Sequence, residues 1–279
     1  MRAKPEARPY GIRRFLQTVI ARAYPRLIGA NREPTWLFFD VFLPLLSICA
    51  YVFVYRAIGA PEAYIGFVVM GGAMTAFWMN ILWSMSTQLF WEREQGNLSL
   101  YIVAPTSLMA ILLGMALGGM LATTLRSLAI LLLGYWVFNV QFVVSSFLAL
   151  FAAFTLTMVS LYGLGMMTSS LFLLYGREAW HLAHLAEEPV FLLSGFYFPV
   201  KSLNFWVAAV SSLIPLTLGL DAMRQLVFSS GPLLGFLPIP MELLVLVILS
   251  VAFITGAHFL LAYTERLAVR EGRLTESKT

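Results

Sequence analysis

Runs of apolar residues as long as a bilayer is thick recur along this chain, and no other feature narrows its possible folds so far. The first extends from Thr35 to Tyr55, roughly 20 residues, which as a helix matches the hydrocarbon core. Others occupy Tyr64 to Phe90, Leu108 to Phe138, Ser145 to Tyr175, Gly176 to Phe198 and Met241 to Tyr263. Within lipid every backbone N–H and C=O must be satisfied inside the protein, so segments of this kind are helices. The expectation is an all-α integral membrane protein with six transmembrane helices. Its 60% hydrophobic and 11% charged residues leave too few charges for a soluble surface, which takes about a quarter. A cytosolic enzyme, a disordered chain and a coiled coil are excluded.

Basic residues set the orientation. The leader, residues 1–34, carries Arg2, Lys4, Arg8, Arg13, Arg14, Arg22, Arg26 and Arg32. Arg93 and Arg177 fall in loops on the same side, and Arg266, Arg270, Arg273 and Lys278 in the tail, residues 265–279; only Arg56, Lys201 and Arg224 fall opposite. Lys and Arg gather on the cytoplasmic side. Both termini and the loop after the second span are therefore expected in the cytoplasm, flanking a membrane domain of residues 35–264. The net charge of +4 reads as topology, and no nucleic-acid partner is expected. The first span starts too late for a secretory signal, so no cleavage is expected. The lone Cys49 permits no intrachain disulfide.

Two further segments lie along the membrane rather than across it. In the leader, Ile12, Phe15, Leu16, Val19, Ile20 and Tyr24 recur at helical spacing with Arg13, Arg14 and Arg22 off that stripe, which predicts an amphipathic helix on the inner membrane face. It serves either as a lipid anchor or as a sliding helix that also touches a partner. Before the last span, residues 201–240 are apolar but broken by Pro215, Pro232, Pro238 and Pro240. An external re-entrant helical hairpin accommodates such a segment. Were Phe205 to Val227 to cross fully, there would be seven spans and the C-terminus would change side.

The sequence holds no GxxxxGK[ST] phosphate loop, so ATP and its Mg ion would bind on another polypeptide. The strongest local signal is the interruption from Trp91 to Pro105, where Glu92, Arg93, Glu94, Gln95, Gly96 and Asn97 separate two spans. On Glu94, Gly96, Leu98 and Pro105, the chain resembles the ABC-2 type transporter permeases, the membrane subunits of ATP-driven exporters. Gly114 fits the small residue that begins the next span, Ser194-Gly195-Phe196-Tyr197-Phe198-Pro199 looks like the family's outer signature, and Pro215-Leu216-Thr217 with Asp221-Ala222-Met223-Arg224 looks like another. Ile214 stands where Asn is common, Asn97 where Thr is common, and the usual Leu-Pro is absent at Leu203-Asn204.

The resemblance implies that Trp91 to Pro105 is a coupling helix seated in a groove of an ATPase subunit, with Glu92, Arg93, Glu94, Gly96, Asn97, Leu98 and Pro105 at the contact. It implies a second permease copy or a homologous permease as partner, a bacterial inner membrane location, and export of a drug, a lipid-like amphiphile or a lipid-linked polysaccharide. No catalytic residue and no metal are expected on the chain itself.

Several residues invite a role on their own chemistry. Arg126 lies deep in the third span, where a charge costs about 3 kcal/mol on insertion scales, so it should face protein or water, or snorkel. The aromatics near the fourth and fifth spans read as interfacial belt, or as a substrate lining and outer gate formed by Tyr162, Phe191, Phe196, Tyr197, Phe198 and Pro199. His181 and His184, followed by Glu187 and Glu188, suit an interfacial helix start better than a metal site. Ser194 and His258 invite comparison with an intramembrane serine protease. Counting 1.5 Å per residue from the inner side places them about 24 Å and about 9 Å deep, too far apart to share a proton.

Overall fold

The computed structural model describes residues 11–103, 107–176 and 178–271; Pro105, Arg177 and the tail beyond residue 271 lie outside them. Regular structure among the described residues is helical throughout. Helix α1 (Ile12–Asn31) leads into α2 (Pro34–Ala57), whose Pro34 is preset for a first helical turn. Next, α3 (Ala63–Met79) continues through a π-helical turn, Asn80–Met85, into α4 (Gln88–Glu94). A short α5 (Asn97–Val103) precedes the long α6 (Leu108–Phe138) and α7 (Phe147–Tyr175). Both long helices start on a serine cap: the Ala110 and Ala149 N–H groups donate to Ser107 and Ser146 Oγ at 3.2 and 3.3 Å. The chain then forms α8 (Glu178–Leu193), α9 (Phe205–Ser211), α10 (Pro215–Val227), the single turn α11 (Gly231–Leu234) and α12 (Ile239–Glu271).

Five helical stretches are long and apolar enough to cross a membrane: Leu37–Ala57, Ala63–Glu94, Leu108–Phe138, Phe147–Tyr175 and Ile239–Leu267. The α3 rod is apolar around its circumference and buried at nearly every position, which makes it the centre of the bundle. Helices α2 and α12 instead turn Phe38, Phe42 and Phe53, and Leu244, Ile248 and Val251, outward. Lipid is as apolar as these side chains, so nothing drives them inward. Where helices do pack, small and hydroxylated residues mediate: Ser160 on α7 and Ser250 on α12 share a 2.7 Å hydrogen bond.

Two elements depart from the sequence-based expectation, and a third has a shape that the expected hairpin accommodates. The stretch from Trp91 to Pro105, expected as one short helix, is divided. The rod runs on to Glu94, Gly96 turns with φ 77°, and α5 starts at Asn97. A residue with a Cβ would resist that left-handed backbone, which is why the break falls on the glycine.

The fifth span, expected to reach Phe198, ends as a helix at Leu193 after 16 residues. Gly195 (φ 69°) opens a turn there, and residues 196–199 fold back against the bundle. Even so, α8 runs from one end of the bundle to the other. Its Trp180 ring lies 6.0 Å from both Trp91 and Phe172, and just past its far end Tyr197 stacks on Tyr51 of α2 at 3.9 Å.

Finally, α9 and α10 pass the length and apolarity test only as a pair, bent by 107° at the break before Pro215. The two ends of the pair lie close to the same end of the bundle. The Phe205 ring is 5.9 Å from Phe236, just ahead of α12, and Val227 O accepts the Val143 N–H from the α6–α7 connection at 2.8 Å.

Candidate functional site

At the end of the Ala63–Glu94 rod, α4, the Gly96 turn and α5 form a polar bracket around Glu92, which is 7% exposed. The carboxylate accepts hydrogen bonds from Gln88 Nε2 (2.9 Å), Asn97 Nδ2 (3.0 Å) and Tyr101 Oη (2.8 Å), and pairs with Arg22 Nη2 at 3.4 Å. Arg22 also hydrogen-bonds Tyr101 Oη, and its guanidinium sits 4.6 Å above the Tyr101 ring. Three elements of the chain meet on this carboxylate: α1, α4 and α5. Burial, with the Glu92 carboxylate as hydrogen-bond acceptor, pushes the Tyr101 phenol up to about 12. It therefore remains protonated and donating across the physiological range.

One turn further along α1, Arg26 hydrogen-bonds Ser84 Oγ in the π segment, and burial lowers the pKa of its guanidinium. The α1 backbone reaches this position because α6 has no side chain in the way. A Cβ at Gly114 would lie 2.5 Å from Val19 O, and one at Gly118 2.5 Å from Ala23 O.

The residues expected at the ATPase contact are therefore not equivalent. Glu92 faces inward and is spent on the bracket. Arg93 donates to Leu173 O on α7 at 3.1 Å and reaches Glu94 at 3.4 Å. Leu98 is buried, Asn97 is half-buried on Glu92, and Glu94, Gln95 and Gly96 are exposed. The outward surface of the bracket is accordingly Glu94-Gln95-Gly96, and Pro105 lies outside the described residues. Arg22, Arg26, Ser84 and Tyr101 were not singled out from the sequence, because their partners lie up to 79 positions away. Arg22 and Arg26 were counted only as topology charges.

Between α1, α2, the α3 rod and α6 lies a half-open cavity of about 870 Å³. It extends from Arg26 and Glu33 to Phe191 and Tyr197, and Arg126 is on its wall. Arg126 Nη1 makes an ion pair with Asp40 Oδ2 of α2, a partner 86 positions away that the sequence did not reveal. Tyr162 stands behind the wall, donating to Asn80 Oδ1 at 3.0 Å, and Asn80 lines the cavity.

Of the residues expected at an outer gate, Phe191 and Tyr197 reach the cavity. Phe196 is fully buried, Pro199 is buried and Phe198 is half-buried. These three belong to a turn held from below by Arg224. That arginine, 0% exposed, donates to Gly195 O, Phe196 O and Phe67 O at 2.6 Å each and to Phe198 O at 3.3 Å. Arg224, counted from the sequence among the charges opposite the termini, is thus an internal clamp that joins α10 to the 195–198 turn and to α3.

The remaining candidates are dispersed. His184 packs against Trp83 with ring centroids 4.4 Å apart and has Nδ1 3.6 Å from Glu187. Ser194 Oγ is buried without a hydrogen-bond partner, while His258 is exposed beside Phe259. The two do not form a nucleophile and base.

Comparison with known proteins matches the sequence to a transporter family. The profile described as "ABC-2 type transporter" fits residues 16–228, a stretch that holds the bracket, the cavity and the Arg224 clamp. A protein of Escherichia coli K12 named "Probable multidrug ABC transporter permease YbhR" is 30% identical over 144 residues, 51% of this chain. Its counterpart in Escherichia coli O157:H7 matches equally. The matched stretch spans 38% of the length of these relatives.

Proposed function

The chain belongs to the ABC-2 type transporter family, and from that membership we propose that it is the membrane-spanning subunit of an ATP-driven exporter in a bacterial inner membrane. Six crossings are assigned to α2, the Ala63–Glu94 rod, α6, α7, α8 and α12. The bent α9–α10 pair is assigned as a re-entrant hairpin on the outside, and both termini lie in the cytoplasm. Helix α1 is assigned to the inner membrane interface, with Ile12, Leu16, Ile20 and Tyr24 exposed along one side.

ATP and Mg would bind to a separate ATPase subunit, and two permeases, identical or homologous, would work with two ATPases. Glu94-Gln95-Gly96 would seat in the ATPase, and closure of the ATPases would move the bracket and the helices attached to it. The bracket itself carries this reading: a polar knob, cross-linked through Glu92, stands at the end of a membrane-length rod. Such a knob passes motion on because the Glu92 carboxylate ties α1, α4 and α5 to one another.

The cavity supports the substrate class. About 870 Å³ accommodates a drug-sized amphiphile, and the relatives' printed name falls in the same class. A lipid-linked polysaccharide would need an open path along the bundle, for which the half-open cavity gives no support.

The test uses the permease reconstituted with its ATPase. Glu94→Lys should remove transport and substrate-stimulated ATP hydrolysis while membrane insertion and thermal stability stay as in the parent protein. Full transport by this variant would defeat the coupling assignment.

A further inference from the structure

The wall of the cavity carries Glu33 and Asp40 as acids and Arg26 and Arg126 as bases, and the four are unequally available. Arg26 is committed to Ser84 Oγ and largely buried. The Arg126 side chain is 14% exposed and paired with Asp40, whose own side chain is 38% exposed. The pair uses Asp40 Oδ2, and Oδ1 makes no hydrogen bond among the described residues. Glu33 is exposed on the same wall. A molecule entering the cavity therefore meets carboxylate first, with guanidinium behind it.

This asymmetry discriminates between charges. An anion at Arg126 would compete with Asp40 for the guanidinium and would leave that carboxylate without its partner. A cation can approach Oδ1 while the existing pair stays intact. Phe39, Trp83 and Tyr197 line the same cavity, and aromatic faces attract cations, most of all where water is excluded. Leu43 and Met79 supply apolar surface for the rest of such a molecule.

We propose that the cavity selects monovalent organic cations, with Asp40 as the group that pairs with them and Arg126 as the residue that holds Asp40 in place. This rests on the reading of the chain as a transport subunit and names its substrate class.

Tetraphenylphosphonium and tetraphenylborate test it, because they share size and apolar surface and differ in the sign of the charge. Binding of each to the purified full-length chain in detergent is measured by equilibrium dialysis, with micelle partitioning subtracted. The parent protein should bind the phosphonium about tenfold or more tightly than the borate, a preference equivalent to one modest charge contact. Asp40→Glu should keep the preference. Asp40→Asn should lose most of it, as should Asp40→Asn/Arg126→Gln, which removes the pair together and leaves no stranded charge if the single variant fails to fold.

Equal or tighter binding of the borate, absence of binding by either ion, or a phosphonium preference that survives in the double variant would each overturn the proposal. Coupling is scored separately through the effect of Glu94→Lys on ATP hydrolysis. Lost cation preference with intact coupling removes only the substrate class, whereas absent coupling removes the transport reading.

Discussion

Two arginines hold the two ends of this bundle, and they hold them differently. Arg224, at the end where α9 and α10 enter and leave, donates through Nη1 and Nη2 to backbone carbonyls of Phe67, Gly195, Phe196 and Phe198. Carbonyls in a buried turn cannot swing away unless the turn unfolds. Arg22, at the opposite end, bonds to the side chains of Glu92 and Tyr101. Side-chain bonds of this kind can break, rotate and re-form without loss of secondary structure. The contrast assigns rigidity to one end and adjustable contact to the other, which is the division of labour expected if motion enters at the bracket.

The comparison can be broken most severely at the clamp. Arg224→Met strands four buried carbonyls and should lower stability by about 3 kcal/mol, read as a lower apparent Tm in nanodiscs. Arg56→Met, in the last turn of α2, serves as the control and should have little effect. A clamp variant as stable as the parent protein would mean that the carbonyls find water or other partners.

At the bracket the expected loss is smaller and local. Glu92→Leu should cost about 1–2 kcal/mol and raise amide exchange in α1 and α5 while α10 stays protected. Uniform exchange across both ends would erase the distinction between them. Tyr101→Phe removes one donor and should cost about 1 kcal/mol.

The bracket also has a pH signature. The folded-state phenol is raised from the ordinary value near 10 to about 12, so its contribution is fully present below the unfolded value and is lost as pH rises through the folded one. Tyrosinate absorbance should show one fewer late-titrating phenol in Tyr101→Phe than in the parent protein. Smallest of all, Glu94→Lys should change stability by less than about 0.5 kcal/mol, because its side chain is exposed and its loss leaves the bracket's hydrogen bonds in place.

How much of this was legible in the sequence follows from the range of each signal. The long helices could be read because apolar length is local, as from Leu108 to Phe138. The turns at Gly96 and Gly195 were visible as residue types, but not the way in which they divide the Trp91 to Pro105 stretch and shorten the α8 helix. Charge pairs were not legible. Asp40 and Arg126 are 86 positions apart, and Arg22 and Glu92 70, so no spacing rule connects them. The clamp role of Arg224 was hidden for a related reason: its carbonyl partners come from α3 and the 195–198 turn, and only the fold brings them to it. Nothing local identifies the Tyr101 hydroxyl as the donor to Glu92.

The central claim is that the Glu94-Gln95-Gly96 surface receives motion from an ATP-hydrolysing partner in the cytoplasm. A photoreactive amino acid placed at position 94 in the assembled transporter tests it most directly, with position 135, near the far end of α6, as the comparison. Position 94 should cross-link to the ATPase subunit and position 135 should not. Failure to cross-link at 94, or modification of Glu94→Cys by an impermeant maleimide added outside intact cells, would contradict the account.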